Sequence, residues 1–213
     1  MALVFMDIDG TLLRGTSCER LFLPYLRKRG LLGTRQLAAF LLFTLRWLWR
    51  DGRDILKVNK AYLAGLNVKE VEAAAADFVR DAIVPRLDAM LLARLKTHLA
   101  TGDTVVLLSG APDFIAKPLA AAVGAGDAIA AVCAVEHGAF TAARPTVHPF
   151  GQAKLFFAEK YCQKNDLDIQ YTIAYADHLS DRFLMEKAGR ASAVHPGNGL
   201  KSLAAARGWE IID

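Results

Sequence analysis

Cysteine is scarce in this chain of 213 residues. There are three, Cys18, Cys133 and Cys162, scattered and odd in number, with no CxxC or Cys/His spacing suited to zinc. That excludes a disulfide framework and reads as reduced thiols in a cytoplasmic compartment. No basic leader precedes an apolar core at the N-terminus, and the chain enters its first strand almost at once, which argues against export. Long apolar runs are lacking too. The richest, Leu37 to Trp49, is too short and too interrupted by Arg46 to span a bilayer. Internal repeats, low-complexity tracts and any recognised nucleic-acid motif are also missing, so nucleic acid is not expected as a partner.

What is present suffices for a full hydrophobic core, with 54% of residues hydrophobic and a length that fits one domain with an insertion. The net charge of +4 is unevenly spread. Between Arg14 and Lys60, eleven Lys/Arg face Glu19, Asp51 and Asp54, about +8, so the remainder is about −4. Such a segment is either a solvated helical surface or a means of attracting an anionic substrate or an anionic surface.

The pattern of elements divides the chain. From Ser17 to about Pro85 it is helical: a helix capped by Ser17 runs toward Gly30, a second spans Thr34 to Arg50, a third covers Arg53 to Leu63, and a fourth opens at Asn67 with Glu70 in a capping-box pattern. In the second helix Arg35, Arg46 and Arg50 share a narrow stripe and the rest is apolar nearly all round. Burial within the helical unit and contact with a membrane surface are both open to it. After Pro85 strands and helices alternate. A helix to Gly102 leads into a buried strand at Thr104 to Leu108, followed by a helix over Asp113 to Val123. A strand near Ile129 to Val135 meets a hairpin turn at Glu136-His137-Gly138. Next come a helix over Gly151 to Lys164, a strand at Gln170 to Tyr175 and a helix over Leu179 to Ala188, then alternation to Ile212. This alternation predicts an α/β fold with a mostly parallel sheet and helices on both faces.

The chemistry is concentrated at Leu3-Val-Phe-Met-Asp-Ile-Asp-Gly-Thr11. Residues two apart in a strand share a face, so Asp7 and Asp9 would crowd together unless the strand ended and Gly10 turned the chain. Buried like charges raise each other's pKa, and a divalent cation resolves the conflict. Hard oxygen ligands suit Mg2+ better than zinc. One aspartate could then attack phosphorus while the other manages a proton. In an open parallel sheet, residues just past the strands converge. Those residues are Ser109 and Gly110 after the second strand, and Asp177 and Asp181 after Gln170 to Tyr175, with Lys154 at a helix start between them. Ser109 and Gly110 suit phosphate oxygens, and Lys154 could neutralise them. Singly, each also reads as an ordinary turn, a solvated lysine or a helix cap.

Asp7-Ile-Asp-Gly-Thr11, the post-strand serine, the lysine and Asp177-x3-Asp181 together resemble the four motifs of the haloacid dehalogenase superfamily of phosphatases. The likeness extends over nearly the whole chain, and the helical unit looks like the inserted, all-helical C1-type cap of the phosphoserine-phosphatase-like branch. The resemblance implies a Rossmann-like core, residues 1–14 plus 86–213, with sheet order 5-4-1-2-3 and a cap at 15–85. It implies Asp7 as nucleophile, Asp9 as general acid/base, Ser109, Gly110 and Lys154 on phosphate, and Mg2+ on Asp7, the Asp9 carbonyl and Asp177, supported by Asp181. The second aspartate favours phosphoryl transfer over dehalogenation, since an alkoxide leaving group wants a proton.

Two departures qualify this. His178 is unusual in the loop Ala176-Asp177-His178-Leu179-Ser180-Asp181. Phosphoserine phosphatases carry a glutamate nine residues after the nucleophile, where this chain has Thr16, with Glu19 three residues later. The expectation is a Mg2+-dependent phosphomonoesterase acting on a small or amphiphilic ester outside the amino-acid phosphates. A lipid phosphate at a membrane surface and a non-catalytic binding protein of the same fold are the alternatives.

Overall fold

The computed structural model describes residues 1–213 apart from the side chains of Asp51 and Arg53. Its centre is a six-stranded sheet built on β1 (Leu3–Met6), whose four residues are all buried. An apolar run with both faces covered is what a central parallel strand requires. β1 pairs in parallel with β2 (Thr104–Pro112) on one side, Leu3 opposite Thr104. On the other side it pairs with β6 (Thr172–Ala176), Leu3 opposite Thr172. β3 (Asp127–Ala131) lies beyond β2, and β7 (Arg190–Val194) and β8 (Glu210–Ile212) lie beyond β6, all parallel. The sheet order is β3-β2-β1-β6-β7-β8. Counting its strands along the chain, this is consistent with the expected 5-4-1-2-3, with a sixth strand added beside the fifth.

The period-two alternation of β1 divides the interior. Val4 and Met6 face a core shared with α1 (Cys18–Lys28), α4 (Val68–Phe78), α5 (Ala89–Ala100) and α6 (Asp113–Val123). Leu3 and Phe5 face the opposite core, formed with α7 (Gln152–Lys164), α8 (Arg182–Lys187) and α9 (Asn198–Arg207). The helical segment between β1 and β2 is anchored to the first core by three rings. Phe22 of α1 lies 4.9 Å from Phe78 of α4 and 5.9 Å from Phe114 of α6. Ring pairs of this kind contribute about 0.5–1.5 kcal/mol each beyond burial.

Several boundaries differ from the sequence reading. β2 does not stop at Leu108 but continues through Ser109 and Gly110 to Pro112, with a register shift between Leu108 and Pro112. β3 begins earlier and ends at Ala131. The hairpin is present as β4 (Val135–Glu136) and β5 (Ala139–Phe140), turned by His137 and Gly138 at φ 50° and 76°. The helix expected over Arg53 to Leu63 is broken into a 3-10 turn (Gly52–Asp54), the short α3 (Ile55–Val58) and a second 3-10 turn (Ala61–Leu63). Asn59 causes the break. Its amide donates to the Phe40 carbonyl and the Thr44 hydroxyl, both at 2.9 Å, while its carbonyl accepts the Ala61 N–H at 2.9 Å. A side chain that competes for backbone groups in this way ends a helix. The helix expected from Leu179 starts as a 3-10 turn and becomes α-helical only at Arg182.

α2 (Thr34–Asp51) is present as read and has two faces. Phe43 is buried against Ile55, Val58 and Ala61, with Trp47 packed partly into the same cluster. Trp49, by contrast, is 82% exposed. Among the described residues no helix is long and apolar enough to cross a membrane.

Candidate active site

The carboxyl edge of the central strand carries the charge. Asp7 continues β1 by one ladder bond, its N–H donating to the Tyr175 carbonyl at 3.0 Å. Its own Oδ1 accepts the Ile8 N–H at 2.8 Å. The chain then folds back, Gly10 N–H to Leu13 carbonyl at 2.9 Å and Leu13 N–H to Ile8 carbonyl at 2.8 Å. The turn parts the two aspartates. Asp9 Oδ1 accepts the N–H of Cys18 at 2.7 Å, at the first turn of α1, where a negative charge meets the positive end of the helix. Gly10 has φ 87°, and a Cβ there would lie 2.1 Å from Asp177 Oδ2, so only glycine fits both the turn and the carboxylate pressed against it.

Three further residues close on Asp7, which is 7% exposed. Lys154, in the first turn of α7 and 3% exposed, places Nζ 3.0 Å from Asp7 Oδ2 and 2.8 Å from Asp181 Oδ2. Asp177 Oδ1 accepts the Thr11 hydroxyl at 3.2 Å. Asp7, Asp177 and Asp181 offer carboxylate oxygens that all lie within 4.8 Å of one another. Burial pushes the Asp7 carboxyl well above the ordinary range, with the charges of Asp181, Asp177 and Asp9 adding to it and Lys154 opposing. Asp177 is raised by the same burial, against the pull of Lys154. Burial works against the Lys154 ammonium, but Asp181 and Asp7 outweigh it and hold its pKa above normal. The donors are hard oxygens, buried, mutually repelling and served by one ammonium. That set fits a small divalent cation.

Of the predicted residues, Asp7, Lys154, Asp177 and Asp181 are therefore brought together. Asp9 stands apart from the three-carboxylate cluster and faces the helical segment, where burial raises its pKa against the Cys18 N–H, Lys60 and Lys154. Ser109 is buried, its Oγ accepting the Ala111 N–H at 3.2 Å, so its own proton is left to donate. Gly110 lies beside His148. A Cβ on it would be 3.6 Å from the imidazole Nε2. His178 is exposed and accepts the Ser180 N–H at 3.1 Å, a cap on its own turn.

Sequence reasoning missed a polar node above Asp9. Glu19 pairs with Lys60 Nζ and accepts the Tyr62 hydroxyl at 2.7 Å, while Lys60 also donates to the Lys57 carbonyl at 2.9 Å. Lys60 is 2% exposed. Burial raises the Glu19 carboxyl and the Tyr62 phenol, the former against Lys60 and Tyr62. The available signal was a lysine and a tyrosine two apart in an apolar stretch, Asn59-Lys60-Ala61-Tyr62-Leu63. A charge there has no solvated face to occupy.

A family model described as haloacid dehalogenase-like hydrolase matches residues 4–186, which hold every residue of this cluster. The chain belongs to that family. It is 27% identical over 213 residues, 98% of its length and 74% of the relative's, to a protein named a probable phosphatase from Mycobacterium tuberculosis H37Rv. It is 26% identical over 218 residues to one named a phosphoserine phosphatase from the same strain, covering all of this chain and 70% of that one. A crystal structure of a Bordetella pertussis protein of unknown function superposes with a TM-score of 0.83 at 27% identity, over 100% of this chain and 98% of the other. The chain is thus an enzyme of a hydrolase family, of the phosphatase type.

Proposed function

We propose that this hydrolase is a Mg2+-dependent phosphomonoesterase working through an aspartyl-phosphate on Asp7, with residues 1–14 and 86–213 as catalytic core and 15–85 as cap. The observation that carries the reading is Lys154, held between Asp7 and Asp181 with the Asp177 carboxylate converging on the same point. Such an arrangement presents a carboxylate nucleophile beside a fixed positive charge.

Asp7 attacks phosphorus, forming a carboxylate oxygen–phosphorus bond as the bond to the ester oxygen breaks. Asp9, whose carboxyl is raised above its ordinary range by burial, gives a proton to the departing alkoxide. Asp9 then takes a proton from the water that attacks phosphorus, the bond to Asp7 breaks, and inorganic phosphate leaves. Ser109 donates its hydroxyl, Gly110 its N–H and Lys154 its ammonium to the phosphoryl oxygens. Asp7, Asp177 and the Asp9 carbonyl, supported by Asp181, would hold Mg2+, which when bound would neutralise charge at the phosphoryl group.

The substrate is a small or amphiphilic phosphate ester. Glu19 is engaged by Lys60 and Tyr62, and Thr16 stands nine residues after Asp7, where phosphoserine phosphatases carry a glutamate. This supports an ester outside the amino-acid phosphates. Phosphate release from an aryl phosphate with Mg2+, followed by a panel of phosphoserine, sugar, nucleotide and lipid phosphates, tests both parts. Undiminished turnover by Asp7→Asn would overturn the mechanism, and a clear preference for phosphoserine would overturn the substrate reading.

A further inference from the structure

We propose that the outer face of α2 docks on an anionic lipid bilayer, laying the helix in the interface without crossing it. This inference does not depend on the reaction assigned to the carboxylate cluster.

The face is built and unpartnered. Leu37, Leu41, Leu42, Leu45, Leu48 and Trp49 are exposed by 60%, 52%, 67%, 71%, 48% and 82%. At about 100° per residue they fall in one arc of about 140°, opposite the side that buries Phe43. An apolar stripe this long on a surface helix marks a binding face rather than scattered exposure. Leu56, 60% exposed in the following α3, adds to the apolar surface of the same segment.

Charge selects the occupant. Arg35, Arg46 and Arg50 run along one border of the arc, and Thr34 to Arg50 contains no Asp or Glu. Arg46 and Arg50 hold their guanidiniums 5.7 and 5.6 Å from the Trp47 ring centre, at the seam between the inner and outer faces. The Trp49 indole N–H is already satisfied, donating to the Arg46 carbonyl at 2.9 Å, so the exposed ring enters an apolar layer without stranding a donor. A second copy of this face would bring arginine borders of like sign together. Anionic headgroups above acyl chains complement both the guanidiniums and the leucines.

Co-sedimentation of the full chain with phosphatidylcholine vesicles containing one third phosphatidylglycerol is the test. The protein is expected in the pellet at low salt, with blue-shifted tryptophan emission, and in the supernatant with phosphatidylcholine alone. The double variant Leu45→Glu/Trp49→Glu is expected to lose binding by about tenfold or more, and Arg46→Glu/Arg50→Glu to lose its anionic preference. Both variants should keep wild-type turnover of a soluble aryl phosphate. Wild-type protein that stays in the supernatant, or variants that bind as well as wild type, would overturn the proposal. So would a dimer in light scattering that dissociates on Leu45→Glu/Trp49→Glu without any vesicle binding, since a second copy would then be the occupant.

Discussion

Among the described residues two lysines are almost wholly buried, Lys154 at the carboxyl edge of the sheet and Lys60 in the helical segment, and they sit in opposite kinds of charge environment. Around Lys154 are gathered the carboxylates of Asp7 and Asp181, with Asp177 close by. Lys60 has one carboxylate, Glu19, and fills its remaining bonds with a backbone carbonyl. The lysine at the sheet edge is outnumbered and the one in the helical segment is matched. An outnumbered cation marks a place that still lacks positive charge, a deficit that a divalent cation would fill. A matched pair fixes geometry, here the position of α1 and the loop at Asn59 over Asp9.

The sharpest way to separate the two environments is to remove their charges one at a time. Asp7→Asn takes away the proposed nucleophile, and steady-state phosphate release should fall by about a thousandfold or more. Lys154→Met should cost about a hundredfold or more in kcat/KM. Any rise in melting temperature on adding Mg2+ should also be larger in this variant, because Asp7 and Asp181 lose the ammonium between them. Lys60→Met should leave that Mg2+ response unchanged while destabilising the fold. Breaking a buried pair from one side costs about 3–5 kcal/mol, and the low end applies here because Glu19 keeps some exposure. Lys60→Met combined with Glu19→Gln should recover most of the loss in a urea-denaturation cycle. Equal Mg2+ responses in the two lysine variants would erase the distinction.

The smallest effect concerns His148, which joins the two regions through its Nε2 and the Lys57 carbonyl at 3.1 Å. Burial lowers its pKa to about 4, with Lys60 adding to the shift. A folded-state value below the unfolded one means the unfolded chain takes up the proton first. His148 therefore leaves stability untouched above about pH 6.5 and subtracts from it as pH falls toward 4. His148→Gln removes that subtraction, so its melting temperature minus that of wild type should climb between pH 7 and 4.5. A flat difference would show that the imidazole titrates normally.

Much of the core was legible in the sequence because its signals are local. The apolar run ending in Asp7-Ile-Asp-Gly10, the strand before Ser109, the helix over Asp113 to Val123 and the Asn67 cap each depend on neighbours within a few residues. The structure places Asp7, Lys154, Asp177 and Asp181 together because a parallel sheet forces loop residues to one edge. The broken third helix and the Glu19–Lys60 pair were not legible. Asn59 bonds to Phe40 and Thr44 on another helix, and Lys60 finds Glu19 forty-one positions away. No periodicity records contacts at that range. For α2 the pattern showed apolar residues all round, whereas which side is covered depends on Ile55, Val58 and Ala61, contributed by a stretch read as a plain helix.

Gly10 has one more consequence, which concerns how much variation the motif can carry. Every L-residue other than glycine meets two independent obstacles there, the sign of φ and the oxygen of Asp177. Relaxing the turn does not clear the carboxylate, and moving the carboxylate does not relax the turn. A saturation library screened for phosphate release should return glycine alone at this position, while neighbouring Ile8 admits other apolar side chains. Asp177 Oδ2 occupies the space a Cβ would take, so the glycine makes room for the carboxylate that converges with Asp7 and Asp181.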